Sequence, residues 1–530
     1  MNMKKLSMRV LGISLFAIIP FISVAQKANW QNLDLQTDST FGISTEKAYN
    51  ELLKGKKSKP VIVAVLDGGV DILHEDLKTL LWLNKKEKAG NGKDDDKNGY
   101  IDDVNGWNFL GSEKGSVNYE TLELTRLVRR DNARFAGKDS SSISAADMPA
   151  FRTYQINKAE LEKELAEAKT GIQRFEAIKI AIDNVVKKMG KEKPSIEDFQ
   201  QFTPANDMEA NVKRIMLDQL KETSFEDFYK TQILPGYEHF KSQIDYNLNL
   251  EYNPRTLVGD DPNNSSEKFY GNNDVAGPDA RHGSHVAGII GADRTNELGI
   301  KGVADNVLIM GVRNVPNGDE RDKDVANGIR YAVDNGAKVI NMSFGKSYSW
   351  DKKIVDDAVK YAVSKDVLLV HAAGNDNKNL EIAQNYPNPQ YEDGGVASSW
   401  ITVGASGPVN DGTIKAGFSN YGKTTVDVFA PGVNINSTIP GSKYAKFNGT
   451  SMASPVVAGL AALIRSYYPK LKANEVKDII MKSVVKVDQS VTITDEDDTT
   501  GGKVVPFSDL CVTGGIVNAY NALKLASEYK

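Results

Sequence analysis

Cysteine and long apolar runs are scarce in this chain. Cys511 is the only cysteine among 530 residues, so we expect no internal disulfide and a small, buried, apolar role for this side chain. Beyond residues 1–25 no apolar run is long enough to cross a bilayer, so no membrane span is expected in the mature chain. The formal net charge of −5 gives no case for a nucleic-acid partner. With 40% hydrophobic residues, the chain is able to bury a large core.

The N-terminal residues 1–25 have the pattern of a secretory signal peptide. Basic residues precede an apolar stretch over 11–24, and the small residues at 23–25 predict a cleavage site before Gln26. The alternative is a membrane anchor, which the short length of the stretch and the interruption by Pro20 disfavour. We therefore expect an exported protein, either periplasmic or extracellular.

Three segments, far apart in the chain, each supply one residue type that acyl transfer requires. Asp67 follows the apolar run 61–66, His282 begins the sequence HGSHVAG, and Ser451 lies within GTSMASP. A serine hydroxyl is a weak nucleophile and needs an adjacent base, which histidine provides. A carboxylate on the second ring nitrogen holds the histidine in the required tautomer. Together the three residues predict a hydrolytic triad.

The local sequence around each residue fits this role. The run 61–66 predicts a strand buried on both faces, with Asp67 at its carboxyl end, where ligand sites of open α/β sheets gather. After Ser451, apolar residues recur at helical spacing until Pro469. Ser451 is therefore expected at a helix N-terminus, where free backbone N–H groups favour a developing oxyanion.

These segments resemble the signatures of the subtilisin-like serine proteases, the subtilases. The matching sequences are DGG at 67–69, HGSHVAG at 282–288, GTSMASP at 449–455 and AAGN at 372–375. The resemblance covers about 43–83 and 271–528. It implies a serine endopeptidase that acts on protein or peptide substrates without an organic cofactor, and it implies that Asn375 donates its side-chain amide to the oxyanion.

Two positions depart from the family pattern. The family usually has a hydroxyl residue after the catalytic aspartate, where this chain has Gly68. Ser284 replaces the usual threonine of the histidine signature and keeps the hydroxyl. The change at Gly68 alters the surroundings of the carboxylate but removes no catalytic group.

The resemblance also implies a pocket for the residue before the scissile bond. Small residues suit the walls of this pocket because a substrate strand must approach the backbone closely. The alternative is that the residues named below are simply buried strand ends. The floor of the pocket is expected around 385–387. The residues expected to line its walls are Ser343, Phe344, Gly345, Ala372, Ala373 and Gly374.

Alternation of apolar runs and amphipathic stretches predicts the fold class. It favours an α/β protein with a doubly wound, mainly parallel, subtilisin-like sheet flanked by helices. The predicted strands are 61–66, 307–312, 339–343, 367–373 and 401–403, and helices are expected around 325–333 and 354–362.

The separation of Asp67 and His282 by 215 residues is far longer than usual for the family and predicts inserted structure. We divide the chain into the signal peptide 1–25, a first catalytic part 26–112, a helical insertion 113–270 and the catalytic remainder 271–530. Within the insertion, periodic apolar residues predict helices over 161–189, 206–220 and 225–246, the last broken at Pro235-Gly236. The insertion either packs on itself as a decoration, or it gates the cleft or binds a partner or substrate.

An acidic loop at 92–105 predicts a calcium site. The spacing of its oxygen-bearing side chains and of one glycine matches the first part of a helix–loop–helix calcium loop. At the twelfth position, however, Asn105 replaces the expected glutamate. The alternative is a solvated acidic turn without metal. The candidate ligands are Asp94, Asp96, Asn98, Tyr100 through its carbonyl, Asp102 and Asp103.

Three other classes of protein compete with a protease. An inactive homologue that serves as a binding protein would be expected to lack a triad residue, and none is missing. A lipase would favour Gly-x-Ser-x-Gly, whereas the sequence around Ser451 is Gly-Thr-Ser-Met-Ala, without the final glycine. A calcium-dependent scaffold would depend on the acidic loop alone. His371, inside an apolar run, is expected to be a packed strand residue rather than a second base.

Overall fold

The protein is described by a computed structural model that covers residues 27–494 and 501–529. The predicted signal peptide at 1–25 lies outside these residues. The strands are β1 (Val61–Asp67), β2 (Gly106–Asn108), β3 (Gly111–Ser112), β4 (Gly115–Ser116), β5 (Val307–Arg313), β6 (Val339–Met342), β7 (Leu368–Ala372), β8 (Trp400–Ser406), β9 (Val428–Pro431), β10 (Ile435–Ile439), β11 (Lys443–Phe447), β12 (Val485–Lys486), β13 (Ser490–Ile493), β14 (Lys503–Pro506) and β15 (Gly515–Ile516).

Helices lie on both faces of the sheet and in a separate cluster between β4 and β5. The α-helices are α1 (Leu35–Asp38), α2 (Thr45–Ala48), α3 (Glu123–Phe135), α4 (Met148–Met189), α5 (Ile196–Gln201), α6 (Asp207–Gln219), α7 (Phe225–Phe228), α8 (Leu234–Ser242), α9 (Arg255–Val258), α10 (Arg281–Gly291), α11 (Asp322–Asp334), α12 (Lys352–Ser364), α13 (Thr450–Tyr467), α14 (Ala473–Lys482) and α15 (Ala519–Ala526).

A nine-stranded sheet forms the centre of the described chain, in the order β12-β15-β9-β8-β7-β6-β1-β5-β2. Neighbouring strands run parallel except at the edge, where β12 is antiparallel to β15. The predicted α/β class with a doubly wound, mainly parallel sheet is therefore confirmed. The five predicted strands correspond to β1, β5, β6, β7 and β8, whereas the sequence did not reveal β2, β9 or the hairpins.

Strand β1 shows why the sheet is covered on both faces. Val63 and Val65 belong to a core shared with α10, α13, α14 and α15, whereas Ala64 and Leu66 belong to a core shared with α11 and α12. Because successive strand residues point to opposite faces, an unbroken apolar run such as β1 can only be buried between two layers of helices.

The strand order changes direction at β1. Strands β5 and β6 follow each other in the sequence but pair with opposite sides of β1. The loops at the carboxyl ends of β5 and β6 therefore diverge and leave a crevice above β1, the usual place for a ligand site in an open α/β sheet. Asp67, the last residue of β1, lies at this crevice.

The helices within residues 113–270, the predicted insertion, pack around two apolar clusters. Helix α4 has 42 residues and is therefore about 63 Å long at 1.5 Å per residue. Its two halves contribute to two separate apolar clusters, one with α3 and Leu248 and the other with α5, α6 and α7. The segments at the two ends of the insertion contact the main body of the protein instead. One example is Tyr270, which packs against the core of α11 and α12.

The predicted helix break at Pro235-Gly236 is wrong. The chain stays helical from Phe225 to Asn247, with π-helical turns at Tyr229–Ile233 and Gln243–Asn247. Pro235 lies in the first turn of α8, where a helix tolerates a residue without a backbone N–H. The π-helical turn before α8 accommodates the backbone hydrogen bond that Pro235 cannot donate, so the helix continues.

Two expectations from composition can be compared with the described residues. None of the helices in 27–494 and 501–529 combines the length and the apolar character that crossing a membrane requires. Cys511 is a buried free thiol in an apolar cluster with Phe507 and Leu510, and burial raises the pKa of this thiol.

Candidate active site

The fold brings Asp67 and His282 into contact. Nδ1 of His282 lies 2.8 Å from Oδ1 and 3.0 Å from Oδ2 of Asp67. His282 is the second residue of α10, and the next residue allows α10 to approach β1 closely. A Cβ atom at Gly283 would lie 2.2 Å from the carbonyl oxygen of Gly69. Glycine at this position therefore permits the approach that joins the carboxylate to the imidazole.

The carboxylate controls the charge state of the ring. Burial by itself would lower the pKa of His282, but the charge of Asp67 and its hydrogen bond outweigh burial and raise the pKa. Asp67 is 3% exposed and His282 is 44% exposed, so the ring keeps one edge open to the crevice. Gly68, which lacks the hydroxyl usual in the family, donates its backbone N–H to Oδ1 of Asp67 at 2.7 Å.

Ser451 is the second residue of α13, and α13 packs against α10. Its hydroxyl donates to the carbonyl oxygen of Ser343 at 3.1 Å, and its own carbonyl accepts a hydrogen bond from the Ser343 hydroxyl at 2.9 Å. In the part of the chain that the structure describes, the Ser451 hydroxyl is therefore directed to the end of β6 rather than to His282. Hydrogen bonds of catalytic groups are often formed only when substrate is bound, and rotation about one side-chain bond redirects this hydroxyl.

Asn375 is anchored to the first turn of α13. Its Oδ1 accepts hydrogen bonds from the backbone N–H of Thr450 at 2.8 Å and from the Thr450 hydroxyl at 3.0 Å. Because Oδ1 is engaged in this way, Nδ2 is the side of the amide that remains to donate. The segment after β7 thus places an amide donor next to the helix N-terminus that carries Ser451.

Asn385 connects two short segments, one after β6 and the other at the end of β7. Nδ2 of Asn385 donates to the carbonyl oxygens of Ala372 at 3.2 Å and Ala373 at 3.0 Å. A Cβ atom at Gly345 would lie 2.3 Å from Oδ1 of Asn385, so a larger residue there would displace the Asn385 side chain. Asn385 also lines a cavity of about 340 Å³, whose lining includes Pro387 but none of the predicted wall residues. The predicted wall segments 343–345 and 372–374 therefore lie close together, with Asn385 between them.

The other buried histidines in this region have structural partners. His371 donates from Nε2 to the carbonyl oxygen of Phe344 at 2.8 Å, and burial lowers its pKa to about 4. His285 donates to the carbonyl oxygen of Ala445 at 3.0 Å and stacks on Phe447, and burial lowers its pKa to about 4. Both rings are therefore neutral at neutral pH and hold backbone segments in place.

In the acidic loop, Asp96 and Asp103 lie close together with Glu87. One carboxylate oxygen from each of the three residues lies within 4.8 Å of the others. Oε2 of Glu87 is buried without a hydrogen-bond partner, and burial raises the pKa of Asp103 to about 6. A buried unpaired oxygen beside two further carboxylates suits a divalent cation, since hard cations take oxygen ligands.

The remaining predicted ligands have other partners. Asp94 accepts the backbone N–H groups of Asn98 and Gly99, and Asp102 accepts those of Asn91 and Gly92. Asn98 donates its side-chain amide to Asp103 at 3.0 Å, and Tyr100 is buried among aromatic rings. No helix adjoins the loop on either side within residues 81–111, so it is not the helix–loop–helix that the pattern resembled. Glu87 lies before the motif, and its sequence context offered no sign of this role.

Comparison with known proteins gives consistent matches to one family. Residues 58–504 match the model described as the subtilase family. A thermophilic serine proteinase of Bacillus sp. (strain AK1) is 45% identical over 186 residues, which are 35% of this chain and 42% of that protein. Thermitase of Thermoactinomyces vulgaris is 45% identical over 35% of this chain and 61% of that protein. Subtilisin DY of Bacillus licheniformis is 36% identical over 39% of this chain and 72% of that protein.

A solved protease structure from Pseudoalteromonas arctica PAMC 21717 aligns with a TM-score of 0.38 at 30% identity, over 48% of this chain and 74% of that chain. The matched regions span 42%, 54% and 46% of three of the curated relatives, about half of their length.

Proposed function

Because the chain belongs to the subtilase family of serine proteases, we propose that it is a serine endopeptidase that hydrolyses peptide bonds in protein or peptide substrates. The observation that carries the proposal is the contact of Asp67 with His282 at the crevice above β1, beside α13, whose second residue is Ser451. The direct test is cleavage of casein, and its inhibition by a fluorophosphonate probe that labels the chain. A purified protein that neither cleaves casein nor takes the probe would contradict the proposal.

Each side chain has a separate role in the proposed reaction. The Ser451 hydroxyl attacks the peptide carbonyl while His282 takes its proton at Nε2, and His282 then delivers that proton to the departing amine. Asp67 holds the ring through Nδ1 and stabilises the imidazolium. The acyl-enzyme is hydrolysed by water in the same way. The segments 343–345 and 372–374, with Asn385 between them, would bind the residue before the cleaved bond.

Asn375 and the backbone N–H of Ser451 would stabilise the oxyanion of the tetrahedral intermediate. Replacement of Asn375 by alanine is expected to lower kcat by about 10²–10³, the loss known for the corresponding donor of subtilisin itself, and to leave KM nearly unchanged. The reason is that the oxyanion forms during the reaction, in the tetrahedral intermediate and the transition states beside it, and is absent from the bound substrate. Steady-state kinetics with a peptide substrate measures the effect.

A matched variant separates this donor from the anchoring of α13. Asn375→Asp keeps the oxygen that accepts the Thr450 N–H but removes the amide donor. We expect it to lose at least as much turnover as Asn375→Ala. Wild-type turnover in Asn375→Asp would show that the amide donor has no catalytic role.

We propose a calcium ion as the occupant of the acidic loop. Glu87, Asp96 and Asp103 would hold the ion. Its chemical contribution would be the neutralisation of three neighbouring carboxylates, which tightens the segment between β1 and β2.

Removal of calcium is accordingly expected to lower the thermal unfolding midpoint of the protein. A ligand that binds only the folded state stabilises it by about 2.7 kcal/mol at 100 times its Kd. Thermal unfolding with calcium and with a chelator measures the difference, which Glu87→Gln should reduce. The matched control is Asp95→Asn, in the same loop but outside the trio, which should keep the full calcium response. If calcium raised the unfolding midpoint equally in Glu87→Gln and Asp95→Asn, the ion would bind at another site.

We further propose that the protein is exported and loses residues 1–25, because their pattern is that of a signal peptide. Sequencing of the mature N-terminus is expected to begin at Gln26. A mature chain that retains residue 1 would contradict export by this route.

A further inference from the structure

A buried cluster of charges joins the helical insertion to the wall of the crevice. Nζ of Lys346 lies 3.0 Å from Oε1 of Glu123 in α3 and 2.7 Å from Oδ1 of Asp322, and it also donates to the carbonyl oxygen of Glu320 at 2.7 Å. The side chains of Lys346 and Glu123 are each 1% exposed. Since α3 is the first helix of the insertion, the contact connects inserted structure with the loops that follow β5 and β6.

Helix α3 is held by the loop after β5 as well. Its N-terminus has no side-chain cap of its own, and Asp319 accepts the backbone N–H of Glu123 at 2.7 Å instead. Arg126 pairs with Glu123 and donates to the carbonyl oxygens of Asp319 at 3.1 Å and Glu320 at 3.2 Å. The start of α3 therefore fills the space between two loops at the carboxyl edge of the sheet.

Lys346 directly follows the wall segment 343–345. Its backbone N–H donates to the carbonyl oxygen of Tyr386 at 3.0 Å, and its own carbonyl accepts the N–H of Tyr386 at 2.8 Å. The residue before Tyr386 is Asn385, which connects the two walls. A displacement of Lys346 would therefore move Gly345 and Asn385 together.

The charges of the cluster make this connection rigid. Burial disfavours the charged forms of Lys346 and Asp322, but neighbouring opposite charges outweigh it. They raise the pKa of Lys346 above its usual value and lower the pKa of Asp322 below its usual value. Separation of α3 from the wall would break the buried pair of Lys346 with Glu123. It would also deprive buried Arg126 of the carbonyl oxygens of Asp319 and Glu320, which is unfavourable. These contacts argue against a gate that opens at this end of the insertion.

We propose that Glu123 is a positioning residue for substrate binding, which acts through Lys346 on the wall 343–345. The insertion is thus a structural part of the substrate cleft rather than an appendage. This inference rests on the proposed function, since it assigns the wall to peptide binding.

The test compares a long substrate with a short one. Glu123→Gln removes the charge and keeps the shape of the side chain. With fluorescein-labelled casein, which contacts the wall, we expect KM to rise about tenfold while kcat stays within about twofold. With p-nitrophenyl acetate, which is too small to reach the wall, both constants should stay near the wild-type values. Active-site titration with the fluorophosphonate measures the concentration of folded, active enzyme, and kcat is calculated from that concentration.

A second buried ion pair of the insertion provides the matched control. Asp260 pairs with Arg255 at 2.6 Å, with side chains 0% and 1% exposed, and this pair attaches the other end of the insertion to α11. Asp260→Asn is expected to lower the thermal midpoint without changing KM for casein. Equal KM values for Glu123→Gln, Asp260→Asn and the wild type would overturn the proposal. Should Glu123→Gln yield no folded protein, Glu123→Asp keeps the charge on a shorter side chain and should raise KM less.

Binding measured without turnover separates this inference from the proposed activity. In a Ser451→Ala background, the Kd for labelled casein is expected to rise about tenfold when Glu123→Gln is added. An unchanged Kd would overturn the positioning role. A wild-type protein that neither cleaves casein nor takes the probe would overturn the proposed activity, and the comparison of Kd values would still decide the role of Glu123.

Discussion

Ser451→Ala is expected to lower the turnover number by about 10⁶, comparable with the loss known for subtilisin itself when its serine is removed. Alanine cannot form the acyl-enzyme, and neither His282 nor the oxyanion donors can replace the missing nucleophile. Among the described residues the hydroxyl of Ser451 makes one hydrogen bond, to the Ser343 carbonyl, so its removal should leave folding and substrate affinity nearly unchanged. Labelling by a fluorophosphonate probe, which bonds covalently to the serine oxygen, and steady-state kinetics measure the loss.

Ser454→Ala is the matched control for the nucleophile. Ser454 lies in the same helix, is buried, and donates to Oδ1 of Asn341 at 2.8 Å. This variant is expected to lose about 1 kcal/mol of stability and to keep its labelling. Equal labelling of the wild type and Ser451→Ala, with or without a calcium chelator, would show that another residue is the nucleophile.

Asp67→Asn is expected to lower kcat/KM by about 10⁴ at neutral pH. The backbone N–H of Gly68 donates to Oδ1 of Asp67, so an asparagine would keep its oxygen there and turn its amide toward His282. The amide N–H would then require Nδ1 of His282 as an acceptor. The ring proton would move to Nε2, the atom that must accept the proton of Ser451.

The pH dependence provides a second readout of this variant. Catalysis requires neutral His282, so activity rises as pH increases through the pKa of the ring. Burial lowers that pKa and Asp67 raises it, so loss of the carboxylate charge should lower it. The acid limb of kcat/KM is therefore expected to move to lower pH in Asp67→Asn. Asp71→Asn, four residues away, should keep the wild-type profile. A loss below tenfold, or a limb that moves to higher pH, would contradict the assigned role of Asp67.

Local sequence patterns were sufficient for the parts of the fold that depend on periodicity. The apolar run 61–66 could only be a strand covered on both faces, and β1 has that position. The helix after Ser451 followed from apolar spacing and the following Pro469. The pattern failed at Pro235, where a π-helical turn keeps the helix continuous, because such turns have no simple sequence signal.

Local sequence patterns could not predict the contacts between distant segments. Glu87 completes the trio of carboxylates although it lies before the acidic motif. Lys346 and Glu123 are 223 residues apart, and neither stands in a recognisable motif. Such partners are chosen by the packing of loops at one edge of the sheet, and a single sequence records no sign of that choice.

The amino-acid sequence by itself determined the α/β class and the kinds of chemical group that the chain can present, because both depend on local spacing and on residue type. Only the tertiary structure decided that Asp67 touches His282, that the Ser451 hydroxyl points to Ser343 and that α3 braces the crevice wall. These relations depend on how closely helices and loops approach across the sheet, which is set by glycines, buried charges and side-chain packing from segments hundreds of residues apart.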